Sequence, residues 1–453
     1  MFLSRQGFNI NRMRNCRNSF ISRQGFNINN MKKYLFLLIL ICSISVVSAQ
    51  NFEQYFENKT VRIDYKHIGN SQIEKIEVEN YNVGGIWEGT VSHLVEPKRM
   101  GGLQFEVFDA LSGQLIYSRS YDCLFNEYRT TERGEKEVGT FEECVRFPLP
   151  KQMVKYKFTS YDRHNVPTEL FQGVFDPQST AYEPIKKEYK VKNLHIGSKV
   201  NDAIDILFIP DGYAKNDKKK MQADFKKFTS FIMNCSPYKE MADHVNIRAI
   251  EAYSEESGIT NPNQNVYKKT LLNCSYNVID LDRYLMCLGV WKMNEIADDA
   301  PYDFIVLICN SDKYGGGGIY NFYCTVNNEG THSDYVIVHE MGHLIGGLAD
   351  EYYTSEVSVR DFYPEGIEPV EPNLTTLVDF DSKWKNMLDA DTPIPTPATK
   401  ENQDKLGVYE GGGYVAEGVY RPMMDCTMHK IMYNRFCPVC LKALQEAILF
   451  YSK

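Results

Sequence analysis

The chain has 453 residues, of which 43% are apolar and 24% are charged, so it is neither a disordered tail nor a single small domain. At roughly 100–200 residues per domain, this length predicts two or three globular units with sizeable cores. Acidic residues outnumber basic ones by 59 to 50, which gives a formal charge of −9. Because an acidic chain is poorly suited to bind a phosphate backbone, we expect no nucleic-acid partner.

Residues 31–49 contain the three regions of a Sec-type signal peptide. Lys32 and Lys33 form its basic start, residues 34–41 its apolar centre, and residues 47–49 a small-residue cleavage site. The apolar run is too short to span a bilayer permanently, and no later stretch approaches about twenty apolar residues. A retained anchor is the alternative. We therefore expect an exported protein without a permanent membrane span, located in the periplasm, at the cell surface or outside the cell.

The sequence SRQGFNIN occurs at residues 4–11 and again at residues 22–29, in both cases upstream of Met31. A signal peptide normally starts at its own methionine. We therefore interpret residues 1–49 as a signal peptide preceded by a leader that results from a start codon assigned too early. These residues contain seven Lys or Arg and no acidic residue, so the chain from residue 50 onward carries a net charge of −16.

Residues 50–185 alternate apolar and polar positions in short runs, as at residues 104–108, 114–119 and 154–158. Period-2 patterning with turn residues at about every tenth position predicts an antiparallel β-sandwich. Residues 175–185 contain two prolines and lack apolar periodicity, so we place the domain boundary there. We expect an accessory domain, and a module that binds a glycan or a protein is the alternative.

From residue 186 to residue 453 the pattern changes to alternating strands and helices. Continuous apolar runs predict buried strands at residues 204–209 and 304–309. The remaining predicted elements are a helix at 218–233, a strand at 245–252, a helix at 279–296, a glycine loop at 315–318, a strand at 319–326 and a final helix at 438–451. This order predicts a mixed, twisted sheet with helices packed on it and, together with the sandwich, an α+β fold.

The candidate chemical site is the run His339-Glu340-Met341-Gly342-His343. Residues i and i+4 of a helix stack on one face about 6 Å apart, so both imidazoles can reach one metal ion. Glu340 follows His339 directly, which suits a general base beside the open coordination position of Zn²⁺. The sequence therefore predicts a zinc hydrolase with one Zn²⁺ per chain.

A third ligand is available shortly after this helix. Gly346 and Gly347 form a helix-terminating pair that lets the chain turn back toward the metal. Asp350 and Glu351 then come within reach. We prefer Asp350 as the third ligand; Glu351 is the alternative, and otherwise it orients a ligand histidine.

The segment HEMGHLIGGLADEYY at residues 339–353 resembles the active-site signature of the IgA-peptidase family, which comprises secreted bacterial zinc endopeptidases that are metzincin-like. Further similarity lies in GVYRP at 418–422, CTM at 426–428 and FCPVC at 436–440. The resemblance implies a metzincin-like α/β catalytic domain behind an accessory β domain, and it implies that Met428 forms the methionine turn below the zinc. The last ligand of the long metzincin motif would fall at Ala349, which cannot bind a metal. The extra Gly347 could lengthen the turn enough for Asp350 to reach the metal instead.

We expect hydrolysis of peptide bonds in extracellular proteins or glycoproteins, with Glu340 as the general base. Tyr420, Tyr352 and Tyr433 are unranked candidates for stabilising the oxyanion. The strand at residues 319–326 is the predicted edge along which an extended substrate lies. The insertion at residues 363–422 is rich in Pro and Gly, and we expect it to be a wall or a lid of the site.

An alternative function is an envelope protein that binds a glycan or a protein through its sandwich and holds a non-catalytic zinc. Structural zinc is usually closed by four protein ligands, whereas this motif offers three beside Glu340, which favours the enzyme. A structural Ca²⁺ is compatible with the sequence but does not follow from it. The oligomeric state is not indicated by the sequence.

Ten cysteines follow residue 50, an even number that allows disulfides in an exported protein. Cys123 with Cys144, and Cys426 with Cys437 or Cys440, are the predicted local pairs. Cys437 and Cys440 could instead form a redox pair or a zinc pair, although we favour a structural disulfide.

Overall fold

The first part of the chain folds into two four-stranded sheets. The computed structural model describes residues 51–353, 362–431 and 433–452, and the predicted leader and signal peptide lie outside these residues. The elements are α1 (Phe52–Tyr55), β1 (Phe56–Gly69), β2 (Glu74–Gly84), β3 (Leu103–Asp109), β4 (Leu115–Tyr121), α2 (Leu124–Tyr128), α3 (Glu132–Lys136), β5 (Gly139–Pro150), β6 (Val154–Tyr161), β7 (Pro167–Phe175) and β8 (Glu183–Pro184). One sheet has the order β5-β1-β2-β8 and the other β4-β3-β6-β7.

Aromatic side chains fill the space between these two sheets. Tyr65 of β1 packs edge-on against Phe158 of β6 with ring centroids 5.0 Å apart, and Phe105 of β3 lies 5.5 Å from Phe147 of β5. All four are at most 1% exposed. Alternate residues of a strand face the same side, so the period-2 pattern of the sequence directs these rings inward. The predicted antiparallel β-sandwich is confirmed except at the two-residue strand β8, which pairs parallel with β2.

The second part of the chain is built around a six-stranded mixed sheet. Its elements are β9 (Lys190–Ile196), β10 (Ile204–Asp211), α4 (Lys218–Met233), β11 (Val245–Glu251), α5 (Val290–Ala297), β12 (Phe304–Cys309), β13 (Gly316–Gly318), β14 (Tyr323–Asn327), α6 (Ser333–Gly346), β15 (Tyr409–Gly412), β16 (Val415–Arg421) and α7 (Pro438–Tyr451). The strand order is β13-β14-β12-β10-β11-β9. The four inner strands are parallel, and the edge strands β9 and β13 are antiparallel to their neighbours. The chain therefore has the predicted α+β fold with a mixed sheet.

The two faces of the mixed sheet bury different partners. Ile206 and Phe208 of β10 share a core with α4, α6 and α7. Leu207 and Ile209 of the same strand share a core with α5 and with the sandwich. Residues 50–453 accordingly form one compact unit. The sandwich is thus packed against the sheet through a common apolar core, and the predicted domain boundary at residues 185 and 186 stays a prediction.

The helix predicted at residues 279–296 is wrong over most of its length. Ile279 and Asp280 adopt left-handed backbone angles, with φ of 51° and 65°, which an α-helix does not contain. Residues 282 and 283 then form a turn, and Met286 exchanges backbone hydrogen bonds with Ser275 at 3.0 Å. The α-helix starts only after Gly289. The apolar spacing of this segment reflects burial of an irregular loop rather than one face of a helix.

The glycine loop and the strand after it are also corrected by the structure. Gly316–Gly318 is not a loop but the edge strand β13, which pairs antiparallel with β14. The strand predicted at 319–326 begins only at Tyr323, because Asn321 has a left-handed φ of 51° in the turn between the two strands. The edge strand beside helix α6 is therefore the glycine run itself.

The predicted disulfides are wrong, since all ten cysteines in the described part of the chain are free thiols. Cys123 lies 3.7 Å from His67 Nδ1, on the same side of β5 as Glu143. Cys144 is the next residue of β5, and adjacent residues of a strand point to opposite faces. Further along the chain, Cys426 Sγ lies 3.8 Å from Cys440 Sγ, whereas a disulfide needs about 2.0 Å.

The predicted insertion at residues 363–422 contains short 3₁₀ turns and the hairpin β15–β16. Trp384, which is 1% exposed, anchors it by donating from its indole nitrogen to the Gly407 carbonyl at 2.8 Å. None of the helices within the described ranges is long and apolar enough to cross a membrane.

Candidate metal centre

Helix α6 carries the His339–His343 motif and ends at the predicted glycine pair. Gly347 adopts a left-handed φ of 56°, a conformation that glycine tolerates without strain. Its N–H donates to the His343 carbonyl at 3.1 Å, and the Leu348 N–H donates to the Gly342 carbonyl at 3.2 Å. This C-cap satisfies the last carbonyls of the helix and turns the chain back. Asp350 consequently lies beside the two histidines.

Three side-chain atoms converge at this point. The Nε2 atoms of His339 and His343 are 3.2 Å apart. Asp350 Oδ1 lies 3.0 Å from His339 Nε2 and 3.4 Å from His343 Nε2. His339 and Asp350 are buried, and the His343 side chain is 17% exposed. The structure therefore brings together the three residues that the sequence suggested as metal ligands.

Each of the three candidate ligands accepts or donates a hydrogen bond on the side that faces away from the centre. His339 Nδ1 donates to the Thr427 carbonyl at 3.0 Å, and His343 Nδ1 donates to the Leu348 carbonyl at 2.6 Å. Asp350 Oδ2 accepts from the hydroxyl of Tyr352 at 2.8 Å and from that of Tyr414. With both Nδ1 atoms used as donors, both Nε2 atoms present a lone pair to the centre, which is the tautomer that a metal requires.

The arrangement fits a cation. Asp350 Oδ1 is buried, and among the described residues the two imidazoles are the only groups beside it that could donate a hydrogen bond, so with both imidazoles neutral three acceptor atoms face one another. Burial lowers the pKa of His343, but the carboxylates of Asp350 and Glu340 outweigh it and raise that pKa to about 9, so the site favours a positive charge, which a bound cation would supply in place of a proton. Among the described residues only three ligands converge here. Two imidazoles and one carboxylate with a remaining open position are the donor set of a catalytic zinc site.

Glu340 lies between the metal centre and the edge strand β13. A Cβ atom at position 318 would stand 2.6 Å from the Glu340 carbonyl oxygen and 3.1 Å from its Oε2, and one at position 316 would stand 3.2 Å from Oε1. The glycines of β13 therefore let the strand approach the carboxylate closely. Burial raises the pKa of Glu340, while His339 and His343 oppose that shift. A half-buried carboxylate with a raised pKa is suited to accept a proton near neutral pH.

Comparison with known proteins identifies the family. A profile described as IgA Peptidase M64 matches residues 193–406 and 398–448, and one described as Peptidase M64 N-terminus matches residues 51–172. The chain belongs to the IgA peptidase family. The resemblance read from residues 339–353 is thereby confirmed, and membership implies a metallopeptidase that acts on protein. No curated protein matches the chain.

Three further residues of this member of the IgA peptidase family were singled out from its sequence, and the structure places them in different surroundings. Met428 is fully buried, and its Sδ atom lies below α6, only 2.7 Å from where a Cβ of Gly342 would stand. Glu351 does not face the histidines, because its Oε1 lies 2.9 Å from Asn373 Nδ2 in a separate buried cluster. Tyr420 lies outside the residues that line the cleft, with its hydroxyl beside Glu410.

Two residues near the candidate site could not be identified from the sequence. Tyr414 lies in the turn of the β15–β16 hairpin with a φ of 69°, and its N–H donates to the Tyr352 carbonyl at 2.9 Å. The glycines before it indicated a turn but not that this turn docks on Asp350. The charge of Arg283 acts on both Asp350 and Glu340, although it belongs to the segment mistaken for a helix. Of the predicted oxyanion candidates, Tyr352 lines the cleft and Tyr433 does not.

The candidate metal centre opens into a cleft of about 1060 Å³. One wall is formed by β13, and a second by residues of the insertion that include Glu368 and Glu371. The sandwich contributes a third wall with Arg99, Arg129 and Arg163. The N-terminal domain was expected to be accessory, but its side chains line the cavity in which a substrate would lie.

Proposed function

We propose that this member of the IgA peptidase family is an exported zinc endopeptidase that hydrolyses peptide bonds of extracellular proteins or glycoproteins. The observation that carries the proposal is the convergence of His339, His343 and the buried Asp350 Oδ1 atom beside Glu340. We expect export through the signal peptide at residues 31–49, which places the protein in the periplasm, at the cell surface or outside the cell.

His339, His343 and Asp350 would hold the zinc. When bound at such a site, Zn²⁺ supplies Lewis acidity and lowers the pKa of a water molecule toward neutrality. The carbonyls of Thr427 and Leu348 keep the two imidazoles in the tautomer that exposes Nε2. The hydroxyls of Tyr352 and Tyr414 hold Asp350 by its outer oxygen, so that its inner oxygen stays directed at the histidines.

Glu340 moves the proton. Its carboxylate is half-buried against β13, and its raised pKa lets it take a proton from the attacking water and pass it to the leaving amine. The substrate peptide would lie extended along the glycine strand β13, which lines the cleft next to this carboxylate. This placement replaces the edge that we predicted at residues 319–326.

The alternative function, binding through the sandwich with a non-catalytic zinc, is less well supported. A closed structural site uses four protein ligands, and the histidine site has three in the described part of the chain. Glu340, the proposed proton acceptor, lines the same cleft as the three candidate ligands. Both features suit turnover rather than simple binding.

The test combines metal analysis with a search for cleavage. The full chain and its Glu340→Gln variant are purified in parallel, their zinc content is compared, and each is incubated with a peptide library that is read by mass spectrometry. We expect equal zinc in both proteins and cleavage by the parent alone. Cleavage by the Glu340→Gln variant would remove the assigned general base, and absence of zinc from the parent would refute the metal assignment.

A further inference from the structure

A second group of metal-type side chains lies behind the metal centre. It consists of Glu351, Cys426, Cys437 and Cys440, all of which are at most 3% exposed. Glu351 directly follows the ligand Asp350, Cys426 lies two residues before Met428, and the other two cysteines open helix α7. Three segments that are distant in sequence therefore meet at one buried point.

The distances within this cluster match a tetrahedral zinc site. The four ligand atoms all lie within 4.8 Å of one another. Cys426 Sγ is 3.8 Å from Cys440 Sγ, and Cys440 Sγ is 3.2 Å from Glu351 Oε1. With Zn–S of about 2.3 Å and Zn–O of about 2.1 Å, the edges of a tetrahedron are about 3.8 Å between two sulfurs and about 3.6 Å between sulfur and oxygen. The side chains thus already stand near the corners that such an ion requires.

Two backbone N–H groups are directed at sulfur atoms of the cluster. The Cys437 N–H lies 3.3 Å from Cys426 Sγ, and the Cys440 N–H lies 3.4 Å from Cys437 Sγ, each directed at sulfur. Both N–H groups belong to the start of α7, where the helix dipole stabilises negative charge. Sulfur ligands select zinc over calcium or magnesium, which prefer oxygen.

One buried carboxylate oxygen of this cluster accepts no hydrogen bond from the described residues. Glu351 is 0% exposed, and its Oε2 has no hydrogen-bond partner within the described part of the chain. Arg421, whose charge acts on Glu351, donates to the carbonyls of Glu410 and Gly411 instead. A disulfide between two of the cysteines would leave this carboxylate and the third thiol without compensation, whereas a cation would be compensated by all four groups.

We propose that Glu351, Cys426, Cys437 and Cys440 bind a second zinc ion with a structural role. Four protein ligands close the site, so it has no open position for a substrate. The ion would connect the segments that contain Asp350 and Met428 to the start of α7. The Glu351 N–H already joins two of these segments by donating to the Met428 carbonyl at 2.8 Å. The predicted zinc content rises from one ion per chain to two. This inference does not depend on catalysis at the histidine site.

The decisive protein is the full chain with His339→Ala and His343→Ala combined, because these changes remove the first site and leave every ligand of the second. We expect about two zinc ions per chain in the parent and about one in this double variant. Replacing that remaining zinc with Co²⁺ should give an intense near-ultraviolet band from thiolate-to-cobalt charge transfer. Such a band cannot arise from a site of histidine and aspartate ligands.

Cysteine variants provide the matched comparison. In the double-histidine background, Cys437→Ser combined with Cys440→Ser should reduce the bound zinc to near zero, and Cys235→Ser, at a thiol outside the cluster, should leave it unchanged. The proposal is overturned if the double-histidine variant retains no zinc, or if its cobalt form lacks the thiolate band. Mass spectrometry of the unreduced parent showing Cys437 and Cys440 joined as a disulfide would overturn it as well.

Discussion

The hydroxyl of Tyr414 offers a quantitative test of how the metal centre is held together. It donates to Asp350 Oδ2, while Asp350 Oδ1 faces the two histidines. A hydrogen bond to a charged group contributes about 1.5–3 kcal/mol, and loss of a partner that orients a ligand weakens metal binding by about 10–100-fold. We therefore expect Tyr414→Phe to bind the catalytic zinc about 10–100-fold more weakly, with the protein still folded.

The assay follows the zinc on which activity depends. Parent and variant are titrated with a zinc chelator, and the free zinc concentration at half-maximal peptidase activity is compared. Tyr352→Phe should act in the same direction, because its hydroxyl shares the same carboxylate oxygen. The two effects should not be additive, since the groups have a common partner.

Tyr363→Phe is the matched control for this prediction. Its hydroxyl also lies in the cleft and donates to a carboxylate, at 3.2 Å, but that carboxylate is Glu371 rather than a metal ligand. Its zinc dependence should equal that of the parent. The reasoning is refuted if Tyr414→Phe and Tyr352→Phe both remain within about twofold of the parent, or if Tyr363→Phe weakens zinc binding as much as they do.

Two further predictions concern the edge strand and the sandwich. Gly318→Ala should lower kcat by at least about 10-fold, because the added Cβ would stand 2.6 Å from the Glu340 carbonyl oxygen and 3.1 Å from both Glu340 Oε2 and His343 Cβ; an unaltered kcat would contradict the close packing of β13. His67 is fully buried, and although burial lowers its pKa, Glu143 and Glu74 raise it to about 9. Because the pKa of His67 is raised in the folded state, its protonation contributes up to about 3 kcal/mol to the free energy of unfolding. This contribution is fully present below about pH 6.5 and is lost as the pH rises through about 9. Denaturant unfolding should show the advantage of the parent over His67→Gln shrinking across this range, and a difference independent of pH would disprove the ion pair.

The parts of the site that could be predicted from the sequence are those fixed by short-range geometry. His339 and His343 are one helical turn apart, so their convergence follows from the period of the helix. Asp350 could be reached because Gly347 permits a left-handed residue directly after α6. Continuous apolar runs likewise gave β10 and β12, since strands buried on both faces need no alternation.

The missed parts depend on contacts between distant segments. The docking of Tyr414 on Asp350 spans 64 residues, and nothing local in the sequence encodes it. Residues 279–296 show apolar spacing typical of a helix. Left-handed backbone angles at Ile279 and Asp280 nevertheless make the first part of this segment a loop. The free thiols of Cys123 and Cys144 follow from their placement on opposite sides of β5. The number of residues between two cysteines does not show on which side of the strand each of them lies, so the sequence could not exclude this pair.

The central claim is that a metal held by His339, His343 and Asp350 works with Glu340 to hydrolyse peptide bonds. The most direct test compares the full chain with its Glu340→Gln variant for bound zinc and for cleavage of a peptide library. The account predicts the same zinc content in both proteins and cleavage products from the parent only. Equal cleavage by both proteins, or a parent that cleaves peptides without any bound metal, would contradict it.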